Sequence, residues 1–213
     1  LCPVLVAPGL VNAHAHLELG ALRAATQGIT SFERWVEALL GARAASDPTE
    51  LREVRDEDAR ALVATGTTTV ADIDSLALGP VATGGPRRLV QRELLDARDP
   101  ARRVAALEAF ASPPALGPLE REGVSPHAPF SVSRALLEAI APRVSGAGLP
   151  LAMHWAETRD EVAWCDGATA WFDRYFPRER GLHGLDALEG AGLLGPRTAL
   201  IHGNYPRAGE PER

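Results

Sequence analysis

The sequence predicts an α/β protein built from parallel βα units, a (β/α)8 barrel of the TIM type truncated after about six strands. Three observations lead there. Short apolar, β-branched runs alternate with longer helical patterns, six such units follow one another, and polar residues gather where the strands end. A six-stranded doubly wound sheet would share the alternation, but no GxGxxG follows the first strand. A complete barrel takes about 250 residues, and the chain has 213.

The first strand runs from Gly9 to His16. A helix over Ser31 to Arg43 follows, with Thr30 and Glu33 as a capping box and Phe32, Trp35, Val36, Leu39 and Leu40 forming one buried stripe. A second helix near Leu51 to Thr65 stops at Gly66, and the second strand is Thr67 to Ile73. Arg88 to Leu95 is the third strand, with a helix from Pro100 to Phe110 behind it. Gly123 to Ser125 leads into the end of the fourth, after which Ser133 caps a helix through Val144 that turns Leu136, Leu137 and Ile140 inward. Leu149 to His154 and Thr198 to His202 are the fifth and sixth strands, separated by helical segments near Arg159 to Cys165 and Leu185 to Glu189.

Composition narrows the function classes. With 46% apolar and 23% charged residues the chain can bury a sizeable core, and one domain is expected. Acidic residues outnumber basic ones, 28 to 22, without long runs of like charge, so no footprint for nucleic acid is visible. No apolar stretch reaches the roughly 18 residues of a membrane span, and the opening LCPVLVAPGLV lacks the features of a secretion signal, so a cytoplasmic location is expected. Cys2 and Cys165 stand apart, as packing residues in a reducing compartment would. All 22 basic residues are Arg; without Lys there is no amine nucleophile, no P-loop lysine and no lysine to bridge two metal ions. Trp35, Trp155, Trp164 and Trp171 read first as packing, and Arg178 to Arg180 and His183 as solvated. Asp72 and Asp74 close the second strand, where a structural role competes with ligation.

His14 and His16 flank Ala15 at the end of an apolar strand. Strand side chains alternate with period two, so both imidazoles leave one face and converge. An HxH pair alone is weak evidence of a metal site, but its surroundings, PGLVNAHAHLEL, resemble the first metal motif of the amidohydrolase superfamily. GTTTVADI, SPHAPFSVS, MHWAET and LIHGNY follow in that family's order, and the resemblance covers nearly the whole chain. It is strongest to the metal-dependent deaminase and chlorohydrolase branch.

The resemblance implies that His14, His16 and His154 hold one divalent ion, Zn²⁺ or alternatively Fe²⁺, since neutral imidazoles suit borderline cations and three of them leave room for water. It implies that His202 contacts the attacking water or the substrate, and that Glu157 hydrogen-bonds and protonates a ring nitrogen beside the carbon under attack. His127, between Pro126 and Pro129, resembles a substrate-contacting residue, and Trp155 lies beside the metal ligand where it can line the pocket. The implied activity is hydrolytic deamination of an amino-substituted heterocycle such as a purine or nucleoside, with similarity to aminodeoxyfutalosine deaminases. Triazine dechlorination, cyclic-amide hydrolysis and a non-catalytic relative are the alternatives. The implied partner is a small heterocyclic substrate, and exposed sheet edges leave room for a homo-oligomer.

The family's last metal ligand is an aspartate at the eighth strand, and here no Asp follows Asp186. Residues 1–213 therefore read as a partial barrel domain without the family's N-terminal β-domain or final strands. As an isolated piece it is expected to be inactive. Gly203 stands where related proteins often carry Cys.

Overall fold

The computed structural model of the chain describes residues 6–168, 171–176 and 185–212. Six strands form one sheet in sequence order: β1 (Leu10–Ala15), β2 (Thr67–Asp74), β3 (Arg87–Leu94), β4 (Glu120–Pro126), β5 (Leu151–Trp155) and β6 (Thr198–His202). This is the order of the first six strands of a (β/α)8 barrel, so the predicted class holds and a doubly wound order is excluded. The β1–β2, β4–β5 and β5–β6 pairs are parallel. Between β1 and β2 lie a 3-10 turn (Leu17–Leu22), the short α1 (Arg23–Thr26), α2 (Phe32–Ala45) and α3 (Pro48–Ala64). The others are α4 (Pro100–Ala111), α5 (Arg134–Ala147), α6 (Arg159–Cys165), a second 3-10 turn (Trp171–Arg174) and α7 (Asp186–Gly190). By internal contacts the chain divides into two units, residues 1–90 with 115–121 and residues 91–114 with 122–213.

In the first unit the α2 expectation needs two corrections. Its N-cap is Ser31, which accepts from Arg34 N, rather than Thr30. Its apolar stripe is only half-buried, and Leu40 is 49% exposed. Asp47 caps α3 with Pro48 in its first turn, and Gly66 ends the connection at φ +96°, a conformation that favours glycine.

The polar core of this unit is Arg88 on β3. Its Nε donates to Asp72 Oδ2 at 2.6 Å and its Nη1 to Glu120 Oε1 at 3.1 Å, with Asp74 at 3.7 Å. Asp72 Oδ1 also accepts from Leu17 N, so Asp72 is structural, anchoring the residue after His16. Glu120 accepts from the backbone of Val81 and Gly117, and these donors with Arg88 hold its carboxyl below the usual range despite burial. Glu18, also buried, accepts from Ser75 N and Leu76 N beyond β2.

In the second unit Asp99 and Ser133 cap α4 and α5, and Leu136, Leu137, Ile140 and Val144 are buried as the period predicts. They pack against Val124, Leu151 and Met153 from β4 and β5. The β5–β6 register runs from Leu151↔Thr198 to Trp155↔His202 without a shift. Cys165 is buried and unbridged; Cys2, His183 and Arg178 to Arg180 lie outside the described residues. Among the described residues no helix is long and apolar enough to cross a membrane.

Removing Arg88 would leave the buried Asp72 and Glu120 carboxyl groups without their shared cation. Arg88→Met is expected to destabilise the chain by about 3–5 kcal/mol, the usual cost of breaking a buried pair from one side. Urea unfolding measures this, and a loss below about 1 kcal/mol, the scale of an exposed pair, would refute the role.

Candidate active site

In the first unit β1 delivers His14, and His16 follows at the start of the 3-10 turn with φ −124°. Their ring centroids are 5.0 Å apart, edge to face, as the shared face of an HxH strand requires. Leu17 N is tied to Asp72, which limits how far the chain carrying His16 can drift.

In the second unit β5 ends with His154, which is buried. Its Nδ1 lies 2.9 Å from the carbonyl of His127. A carbonyl only accepts, so Nδ1 carries the hydrogen and Nε2 holds the lone pair. This arrangement orients an imidazole for metal binding. His127 follows β4, and its Nδ1 lies 2.6 Å from Ser131 Oγ, which itself donates to Ala128 O. His127 therefore donates through Nδ1 and turns Nε2 towards Glu93 Oε1, 4.0 Å away. Burial pushes the His127 imidazole down to about 4, against an opposing pull from Glu157, so the ring is neutral at pH 7. Glu93, His127 and His154 each bring a ligand atom within 4.8 Å of the others.

Glu157 and His202 reach the same place by leaving the β alternation. His202 is paired in register with Trp155, and opposed residues on parallel strands share a face. Trp155 is buried and packs with Ala156 and Leu185 in an apolar cluster. His202 adopts φ +78°, which turns its ring out of that alternation to stack 5.5 Å from His154. Ala156 adopts φ +51°, and the following Glu157 brings Oε1 to 3.5 Å from His202 Nε2. Asn204 Nδ2 donates to Glu157 O and Tyr205 N to Ala156 O.

Of the predicted residues, His127, His154, Glu157 and His202 thus lie together in the second unit, and His14 and His16 lie together in the first. Three participants escaped the sequence reading. Glu93 stands out only as the one carboxylate in β3, RRLVQREL, and Ser131 as a hydroxyl four residues after His127. Glu161 had a visible signal, the TRDE capping box, in which Thr158 Oγ1 accepts from Glu161 N at 3.1 Å. Glu161 is buried and accepts from Ala156 N at 3.0 Å and Glu157 N at 2.9 Å.

The model of the amidohydrolase family matches residues 5–212. A 5-methylthioadenosine/S-adenosylhomocysteine deaminase of Nitratidesulfovibrio vulgaris (strain DP4) is 27% identical over 93% of this chain and 44% of its own length. An aminodeoxyfutalosine deaminase of Deinococcus radiodurans is 35% identical over 38% of this chain and 23% of its own length. Among solved structures, an adenosine deaminase from Xanthomonas campestris with bound zinc superposes with a TM-score of 0.68 at 24% identity, over 92% of this chain and 44% of that one. The chain spans less than half the length of these relatives.

Burial raises the Glu161 carboxyl to about 7, although the Glu157 and Ala156 N–H groups oppose it. Because the folded value exceeds the ordinary 4.5, the fold favours the protonated form. The contribution is complete below the unfolded value and is lost as pH rises through about 7. Glu161→Gln is therefore expected to show a shallower fall in melting temperature between pH 4.5 and 7 than the parent chain. Parallel pH profiles for the two proteins would refute it.

Proposed function

The chain belongs to the amidohydrolase family, and from that premise we propose that it supplies the metal-binding and proton-transfer half of a hydrolytic deaminase acting on an amino-substituted purine or nucleoside. The observation that supports this most directly is the 3.5 Å approach of Glu157 Oε1 to His202 Nε2 beside His154. The similarity to 5-methylthioadenosine/S-adenosylhomocysteine and aminodeoxyfutalosine deaminases supports the same substrate class.

The proposed ligands of a divalent ion, zinc first, are His14, His16 and His154. The donor chemistry fits: the β1 imidazoles converge, and His154 keeps its lone pair on Nε2 while Nδ1 is committed to a carbonyl. One ion is expected, because the trio with Glu93 and His127 would draw on that same His154 nitrogen. When bound, the ion lowers the pKa of water towards about 7 and so supplies hydroxide at neutral pH.

The remaining roles belong to the side chains. Glu157 delivers a proton to the ring nitrogen next to the amino-bearing carbon, so that this carbon accepts an oxygen nucleophile. His202, within reach of Glu157, orients that nucleophile and hydrogen-bonds the adding oxygen. Neutral His127, fixed by Ser131 and facing Glu93, contributes an acceptor nitrogen for a substrate hydrogen. The proton left on the added oxygen passes to the amino group, the C–N bond breaks as the C=O bond forms, and ammonia leaves.

His14→Ala, His16→Ala and His154→Ala are each expected to lower metal content. His202→Ala and Glu157→Gln are expected to keep the metal and to lose about 10²–10⁴-fold in turnover, the usual share of a general acid or base. Ammonia release from an aminopurine nucleoside, assayed with the barrel completed, and metal analysis would be run side by side. Metal loss in His202→Ala, or near-normal turnover in Glu157→Gln, would sink these assignments.

A further inference from the structure

The turn after β5 is strained and yet tightly tied. Ala156 sits at φ +51°, where a side chain costs energy unless the surroundings impose the conformation. Two successive N–H groups of this turn, Ala156 and Glu157, point at the two oxygens of one carboxyl group, Glu161 Oε1 and Oε2. Successive N–H groups converging in this way form a nest that an acceptor group stabilises. Glu161 is 2% exposed, and its own N–H is held by the Thr158 hydroxyl, so the acceptor is fixed before it meets the turn. A standard capping box would have sent this carboxyl to the N-cap residue; here it reaches back to the two residues before Thr158.

We propose that Glu161 is a positioning residue: by accepting from both N–H groups it imposes the left-handed turn at Ala156 and thereby aims the Glu157 side chain at His202. The inference rests on the reading of Glu157 as the proton donor. Asn204 and Tyr205 hold the carbonyl side of the same turn, and Glu161 holds the N–H side. Without its acceptor the turn relaxes towards ordinary backbone angles. Glu157 then swings away from His202, while His154, tied separately to the His127 carbonyl, stays in place.

The test is Glu161→Gln, which keeps the volume but opposes one N–H with an amide NH₂, with Glu161→Ala as a second variant. In the purified protein, hydrogen exchange at the Ala156 and Glu157 amides is expected to accelerate while metal content is unchanged. With the barrel completed, turnover is expected to fall about 10²-fold with KM little altered, the scale of a misplaced catalytic group. In a Glu157→Gln background the same change is expected to cost less than about twofold, because there is no longer a proton donor to aim. An equal fold-loss in both backgrounds would overturn the inference, as would unchanged amide exchange. Normal turnover in Glu157→Gln alone would overturn the donor reading and this inference with it. Loss in Glu157→Gln with normal turnover in Glu161→Gln would overturn the inference alone.

Discussion

A side chain at the end of a parallel strand serves a site only if the backbone just beyond the strand is pinned, and buried carboxyl groups do that pinning throughout this chain. In the first unit Asp72 accepts from Leu17 N and Glu18 from Ser75 N and Leu76 N, so the segments after β1 and β2 hold each other. In the second, Asp96 accepts from Arg98 N and Ser133 N and Glu161 from Ala156 N and Glu157 N. Loop N–H groups buried beside a core need acceptors, and a carboxylate provides several in one side chain. Each such acid lies far from water, so it is also where stability depends most on its partners.

The acids differ in how their charge is met. Asp72 and Glu120 share the Arg88 guanidinium, whose planar fork serves two acids at once. Glu161 accepts from the Ala156 and Glu157 N–H groups, and burial raises its carboxyl to about 7. Burial raises the Asp72 carboxyl even with Arg88 beside it, whereas at Glu120 the Gly117 and Val81 N–H groups together with Arg88 outweigh desolvation and lower it.

Within the second unit the histidines form an ordered relay of tautomers. Ser131 directs its hydroxyl hydrogen to Ala128 O and accepts from His127 Nδ1, and the His127 carbonyl accepts from His154 Nδ1. Every hydrogen in that series has one placement consistent with its acceptor, so both rings turn a lone pair towards the same side. The loop SPHAPFSVS thus orients two imidazoles, one through its side chain and one through its backbone.

Much of this was legible in the sequence by itself. The βα order, β6 from Thr198 to His202, the buried face of α5 and the shared face of His14 and His16 follow from local periodicity and caps, which depend on residues a few positions apart. The motif order pointed to the family and to Glu157 and His202. Tertiary structure alone decided the rest. The half-buried stripe of α2, the choice of Arg88 as partner of Asp72 and Glu120, and the approach of Glu93 to His127 depend on residues distant in sequence. So did the sense in which His202 leaves its strand: alternation would have sent it to the face of Trp155, and a left-handed backbone angle reversed it. Periodicity describes a strand only while the strand lasts, and the chemistry here sits where it stops.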